Sequence, residues 1–200
     1  MAKWLSARLK ATLVHQRYSR LVIDCNRHPG APGTIIPAVS ERTAIPGNLA
    51  LDTAERTARR EAVFDPYHQV IDNLLQHRIA RRQLTCLIAM HSFTPVFMGV
   101  SRPWQIGGLF DRQPAYAREV LRLLRVVGDQ VVGDNQPYAL DDTDYAVPVY
   151  AYGHRLPYAE IEIRQDLIGD IRGQRAWATR LAHVLPAALR RWRANGAQVS

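Results

Sequence analysis

Three short segments carry residue types that could do chemistry. In "AEIEIRQDL", Glu160, Glu162 and Arg164 occupy alternate positions. Strand side chains alternate between faces, so these three share one face while Ile161 and Ile163 take the other. Two carboxylates beside a guanidinium read either as the solvated face of an edge strand or as a general base, with the arginine holding an anion or tuning the acid. In "CLIAMHSFTP" (86–95) an apolar run stops at His91 and Ser92. That is either a strand meeting a polar loop or an imidazole aimed at a reaction site. In "IDCNRHPG" Asn26 and Arg27 leave an apolar run and enter a Pro/Gly loop. A guanidinium there can grip a carboxylate through two parallel hydrogen bonds, or bond loop carbonyls. Two further imidazoles, His68 in "DPYHQVIDNLL" and His154 in "YGHRLPY", stand near a helix start and just ahead of the acidic strand. Asp65 and Pro66 suit the N-cap and first position of that helix.

Periodicity supplies the elements that must position these groups. "RLVIDC" (20–25), "LTCLIAM" (84–90), "QVVG" (130–133) and "YAEIEIR" (158–164) read as strands. Residues 27–37 are too rich in proline and glycine for regular structure. Ala58, Ala62, Val70, Ile71, Leu74, Leu75 and Ile79 keep a helical period from Asp52 to about Arg82, and Pro66 predicts two helices or one kinked helix. A helix is expected over 114–127, and another over Gly173–Asn195 that Pro186 bends. Residues 134–155 read as a long polar and aromatic loop of the kind that often carries function. The alternation predicts one α/β layered domain over 1–200, with a sheet covered on both faces, whose sites gather at strand ends.

Composition narrows the function classes. The chain has 200 residues, is 47% hydrophobic and 22% charged, and carries a net charge of +8. That balance suits a globular domain with one core. No apolar run is long enough to span a bilayer, and the N-terminus lacks the pattern of a secretory signal. Lys3, Arg8, Lys10, Arg17 and Arg20 give the N-terminus the charge of a transit peptide, yet Leu5, Leu9 and Leu13 with Trp4 favour an ordinary amphipathic helix. Cys25 and Cys86 read as buried thiols of a reducing compartment, which points to the cytoplasm. The arginines are scattered, with pairs at Arg59-Arg60, Arg81-Arg82 and Arg190-Arg191. This favours a solvated basic surface over a nucleic-acid site. Zinc-protease spacing, paired-cysteine spacing, nucleophile elbow, P-loop and dinucleotide-binding glycine pattern are all missing.

Taken in order, Asn-Arg after one strand, His-Ser after another and Glu-x-Arg on the last are similar to the zinc carboxypeptidase superfamily. The segments "YSRLVIDCNR" (18–27), "PYHQVIDNLL" (66–75), "IAMHSFTPVF" (88–97) and "HRLPYAEIEIRQDLI" (154–168) more closely resemble the N-formylglutamate amidohydrolase family. The resemblance implies a zinc-carboxypeptidase-like three-layer α/β/α fold with a mixed sheet and a metal-dependent amidohydrolase that cleaves an N-acyl amino acid bearing a carboxylate. It implies that His91 is a zinc ligand, Glu162 the general base, and Arg27 with Asn26 the carboxylate-binding pair. His68, His154 and Arg164 would be supporting pocket residues. The family's remaining ligands come from a strand and an acidic segment ahead of the matched part. The chain is therefore expected to lack that first strand, and to oligomerise or aggregate over the apolar surface so exposed unless the N-terminal helix covers the gap. His68 or His154 could rebuild a metal site. A non-catalytic carboxylate-binding relative and a basic nucleic-acid-binding protein are the rival readings.

Overall fold

The computed structural model describes residues 1–31, 33–128 and 130–196; Pro32, inside the loop expected over 27–37, lies outside them. In chain order the elements are α1 (Ala2–Leu9), β1 (Val39–Ser40), β2 (Thr43–Ala44), α2 (Thr53–Arg59) and α3 (Asp65–Ala80). There follow β3 (Leu87–Phe93), β4 (Val96–Phe97), β5 (Val100–Ser101), β6 (Ile106–Leu109), α4 (Ala115–Val127), β7 (Val132–Asp134), β8 (Tyr158–Arg164) and α5 (Ile171–Gly196). They form two compact units. The first comprises Met1–Leu13, Cys86–Leu140 and the chain from Arg155 onward; the second comprises Val14–Thr85 and Asp141–His154.

The first unit is built on a mixed four-stranded sheet of order β3-β8-β6-β7, with flanking helices, which is the expected α/β class. β3 runs parallel to β8, β8 antiparallel to β6, and β6 parallel to β7. β8 is thus paired on both sides, which removes the edge-strand reading of its charges. Tyr158 through Ile163 are all buried. Ile161 pairs with Gly108 and Ile163 with Ile106 on one face. A Cβ on Gly108 would lie 2.7 Å from a methyl of Leu121, so α4 packs directly on the bare backbone there. α4 contributes Ala117, Val120, Leu121 and Leu124 to this core, and α5 contributes Leu181, Leu185 and Ala188. Burying side chains of this size is worth about 1.5–3 kcal/mol each. Leu5 of α1 is also buried, and the helix ends where Lys10 turns left-handed, one turn short of Leu13.

Two strand expectations shift. The strand placed at 84–90 runs from Leu87 to Phe93, so His91 and Ser92 lie within it rather than beyond its end. The one placed at 130–133 is Val132–Asp134. β6, with Gly107 and Gly108 at its centre, escaped the sequence reading because a Gly pair lowers strand propensity.

In the second unit the expected strand at 20–25 does not form. Arg20 and Leu21 lie in a turn, the Asp24 N–H donates to the Thr34 carbonyl, and the Asp24 carboxylate accepts the Asn26 N–H. Such local bonding diverts the backbone from a ladder. The apolar character of the run reflects burial instead: Ile23 packs with Val63 and Phe64. The 52–82 segment is one helical run, starting with a capping box at Asp52 and Glu55. A π-helical stretch, Arg60–Phe64, joins α2 to α3. It absorbs Pro66, which has no N–H to donate and would crowd a regular α turn. Asp65 is consequently helical and not an N-cap; its carboxylate accepts from Arg60 Nε at 3.1 Å. A second π-helical stretch, Val147–Tyr152, structures part of what the sequence presents as a loop. Cys25 and Cys86 are free thiols.

Candidate metal centre

β3 and β8 bring an imidazole and two carboxylates together. In their parallel register His91 lies opposite Glu162 and Ala89 opposite Glu160. The two-residue period puts all three side chains on one face of adjacent strands, opposite the isoleucine face. His91 Nε2 is 3.8 Å from Glu160 Oε1, and ligand-capable atoms of His91, Glu160 and Glu162 lie within 4.8 Å of one another. Glu160 is 2% and Glu162 3% exposed. Burying two carboxylates this close costs several kcal/mol per charge unless cations or hydrogen bonds compensate.

One compensation comes from an unexpected direction. The Tyr138 hydroxyl donates to Glu162 Oε1 at 2.5 Å. Tyr138 reaches it because the preceding residue pair crosses the sheet over bare backbone. Gly107, opposite Glu162 in the register, lies so close to the Gln136 carbonyl that an added Cβ would overlap its oxygen. A Cβ at Gly133 would crowd both Gln136 and Trp104, at 2.8 Å and 3.2 Å. The two glycines of β6 therefore serve opposite faces, Gly108 the helix core and Gly107 the carboxylate side.

Arg164, third of the alternating charged residues, is fully engaged inside this unit. Its Nε and Nη2 grip Asp166 at 2.8 and 3.1 Å, and its Nη1 donates to the Arg102 and Pro103 carbonyls at 3.4 Å each. The Arg164 guanidinium holds the Asp166 carboxyl below its usual range. The Arg102 side chain lies between two rings, 4.7 Å from the Phe97 centroid and 5.7 Å from that of Tyr138.

Asn26, Arg27, His68 and His154 belong to the second unit. The Asn26 side-chain carbonyl accepts the Ala146 N–H at 2.9 Å, and its amide donates to Asp144 at 3.4 Å. Arg27 forms an isolated antiparallel bridge with Asp144, and its Nη1 faces Asp141 at 3.5 Å and Asp144 at 3.8 Å. Burial raises the Asp144 carboxyl above its ordinary value, while the Thr143 hydroxyl, with Arg27 adding to it, lowers that of Asp141. His68 is buried, with Nε2 2.9 Å from the Cys25 carbonyl and Nδ1 2.8 Å from the Tyr150 hydroxyl. The carbonyl can only accept, so Nε2 carries the proton and Nδ1 accepts from tyrosine. Burial lowers the His68 pKa to about 4, against the opposing pull of the Cys25 carbonyl and Asp65. Phe64 and Tyr145 enclose the ring, their centroids 4.1 and 4.5 Å away. His154 is exposed.

Sequence reasoning had put Glu160 on the face of Glu162 without giving it a role; the strand period was the signal for it. Tyr138 and Gly107 carried no such signal, because their part depends on a chain crossing.

The His91 imidazole and the Glu160 carboxylate are donors of the nitrogen and oxygen kind that zinc takes at about 2.0–2.2 Å, with the Glu162 carboxylate beside them. Ligand atoms on a tetrahedral ion then sit roughly 3.3 Å apart, close to the His91–Glu160 separation of 3.8 Å.

The sequence pattern of a family described as N-formylglutamate amidohydrolase matches residues 1–169. Among solved structures, a gene product of Agrobacterium tumefaciens, Atu2144, is 38% identical, with a TM-score of 0.88 over 94% of this chain and 74% of that one. N-formylglutamate amidohydrolase from Ralstonia eutropha JMP134 shares the fold at 20% identity, with a TM-score of 0.65 over 92% of this chain and 80% of that one. No curated protein matches the chain in sequence. Among the described residues, no helix is long and apolar enough to cross a membrane.

Proposed function

Because the chain belongs to the N-formylglutamate amidohydrolase family, we propose that it hydrolyses the amide of an N-acyl amino acid, using a zinc ion held by His91 and Glu160 with Glu162 beside them. The observation that carries this reading is the meeting of His91, Glu160 and Glu162, within 4.8 Å, on two paired strands. The zinc would supply, when bound, a Lewis acid for the amide carbonyl and a lowered pKa for water.

The chain's own residues do the rest. Glu162 takes a proton from the attacking water and delivers it to the amide nitrogen as the C–N bond breaks, releasing a carboxylic acid and the amino acid. Tyr138, donating to Glu162 Oε1, keeps the carboxylate in one rotamer. Arg27, with Asn26, binds a substrate carboxylate, an assignment that rests on its match to the family's Asn-Arg segment.

The test is a deformylation assay on N-formyl amino acids with zinc supplied, comparing the wild-type chain with Glu162→Gln. Loss of a general base costs typically 10²–10⁴ in rate, so the variant should fall by at least a hundredfold. Unchanged hydrolysis by Glu162→Gln would remove the proposed base. Absence of hydrolysis by the wild-type chain, with ligand still bound, would favour a non-catalytic carboxylate binder.

A further inference from the structure

We infer that the second unit holds a binding site for an alkylated ammonium group, in a cavity floored by Phe64, His68 and Tyr150, walled by Tyr145 and bordered by Asp65 and Asp72. All six residues belong to that unit. The cavity encloses about 450 Å³, within the roughly 300–1,000 Å³ of small-molecule sites. Asp65, His68 and Asp72 are spaced three and then four residues apart, so one face of α3 supplies them.

The rings stand as the walls of a box. Tyr145 is inclined at 73° to Phe64 and at 82° to Tyr150, with centroids 5.1 and 6.3 Å away. Phe64, His68 and Tyr150 are buried. His68 and Tyr150 spend their polar atoms inside the fold: the Tyr150 hydroxyl donates to His68 Nδ1, and His68 Nε2 donates to the Cys25 carbonyl. What these rings have left for the cavity is their π surface, whose negative quadrupole attracts a cation. His68, with its pKa lowered by burial to about 4, adds no opposing charge at neutral pH.

The carboxylates set the sign of the field. Asp65 is answered by Arg60 Nε at 3.1 Å. Asp72 accepts from the neutral Gln76 amide at 2.6 Å and, among the described residues, forms no ion pair. One negative charge is thus left beside the rings, on a chain whose net charge is +8. Its influence reaches both tyrosines. Burial first, then Asp65, raises the Tyr145 hydroxyl, with Arg60 opposing and Asp72 adding. Burial, Tyr145 and Asp72 raise that of Tyr150. An anion would meet the charge of Asp72. A metal ion would need several ligands at once, whereas seven residues of helix separate Asp65 from Asp72 by about 10 Å. A monocation with an apolar body fits, its methyl groups on the rings and its charge toward Asp72. A quaternary ammonium also brings no N–H that the site would leave unpaired.

The experiment titrates the full chain by calorimetry and proton NMR with three probes: choline, its neutral isostere bearing a tert-butyl group in place of trimethylammonium, and a short peptide carrying trimethyllysine. Choline should bind at least fivefold more tightly than the isostere, with its N-methyl resonance shifted upfield by the rings. Asp72→Asn, a change on a half-exposed helix position, should weaken choline at least threefold and leave the isostere within twofold. Tyr145→Leu should abolish the preference and the upfield shift, and Tyr145→Phe should keep both. Tighter binding of choline than of the peptide, or the reverse, supports the site and tells a free small molecule from a methylated lysine side chain as its source. Equal affinity for choline and the isostere, an unchanged preference in Asp72→Asn, or binding of neither cationic probe would overturn the assignment.

Discussion

Acidification should loosen the second unit through one histidine. His68 is neutral in the folded protein, its Nε2–H donating to the Cys25 carbonyl and its Nδ1 accepting a hydrogen bond from the Tyr150 hydroxyl. Its pKa is about 4 when folded against 6.5 for a solvated imidazole. The unfolded chain therefore binds more protons than the folded one between those values. The contribution is fully present above pH 6.5 and is lost as pH falls toward 4. From this difference, stability should drop by about 2 kcal/mol between pH 7 and pH 5, and by about 3 kcal/mol at pH 4. His68→Gln keeps a donor and an acceptor but does not titrate in this range. Urea unfolding of both proteins at pH 7, 6 and 5 isolates the effect, because the other titrating groups contribute equally to each. Wild type should lose about 2 kcal/mol more than the variant over that interval. Parallel curves, or a His68 imidazole resonance titrating near 6.5, would refute the buried neutral assignment.

Three other outcomes are expected. Glu160→Gln should weaken zinc binding by at least tenfold in a chelator-competition titration, with Ala89→Ser, opposite it in the register, as a control of little effect. Unchanged affinity would take Glu160 out of the donor set. Gly107→Ala should cost about 1–3 kcal/mol in denaturant unfolding, as overpacking does, because its Cβ would overlap the Gln136 carbonyl. It should also lower activity, since the displaced segment carries Tyr138. A variant as stable and active as wild type would contradict the close crossing. Tyr138→Phe should reduce kcat more than it changes KM, and equal folding stability with unchanged kcat would show that the Glu162 hydrogen bond is dispensable.

The alternation of Glu160, Glu162 and Arg164 along β8 was legible in the chain because a strand's two-residue period is a local property. The helices over 115–127 and 171–196 were legible for the same reason, since a helical stripe needs no knowledge of what covers it. The run at 20–25 misled because β-branched residues mark burial as readily as pairing; whether Ile23 meets a ladder or Val63 and Phe64 is not written in the run itself. The same limit hid β6, whose glycines look like a turn until a helix and a crossing segment are seen to need their bare backbone.

Residue types and local period determined which groups could do chemistry, and the motif order pointed to their family. Tertiary structure decided that β8 lies inside the sheet, which turned a charged strand face into a buried one. It also decided the register that sets His91 against Glu162, the closeness of Glu160, and the reach of Tyr138. These depend on pairing between segments some seventy residues apart, where the free energy is in the contact and each segment alone is silent.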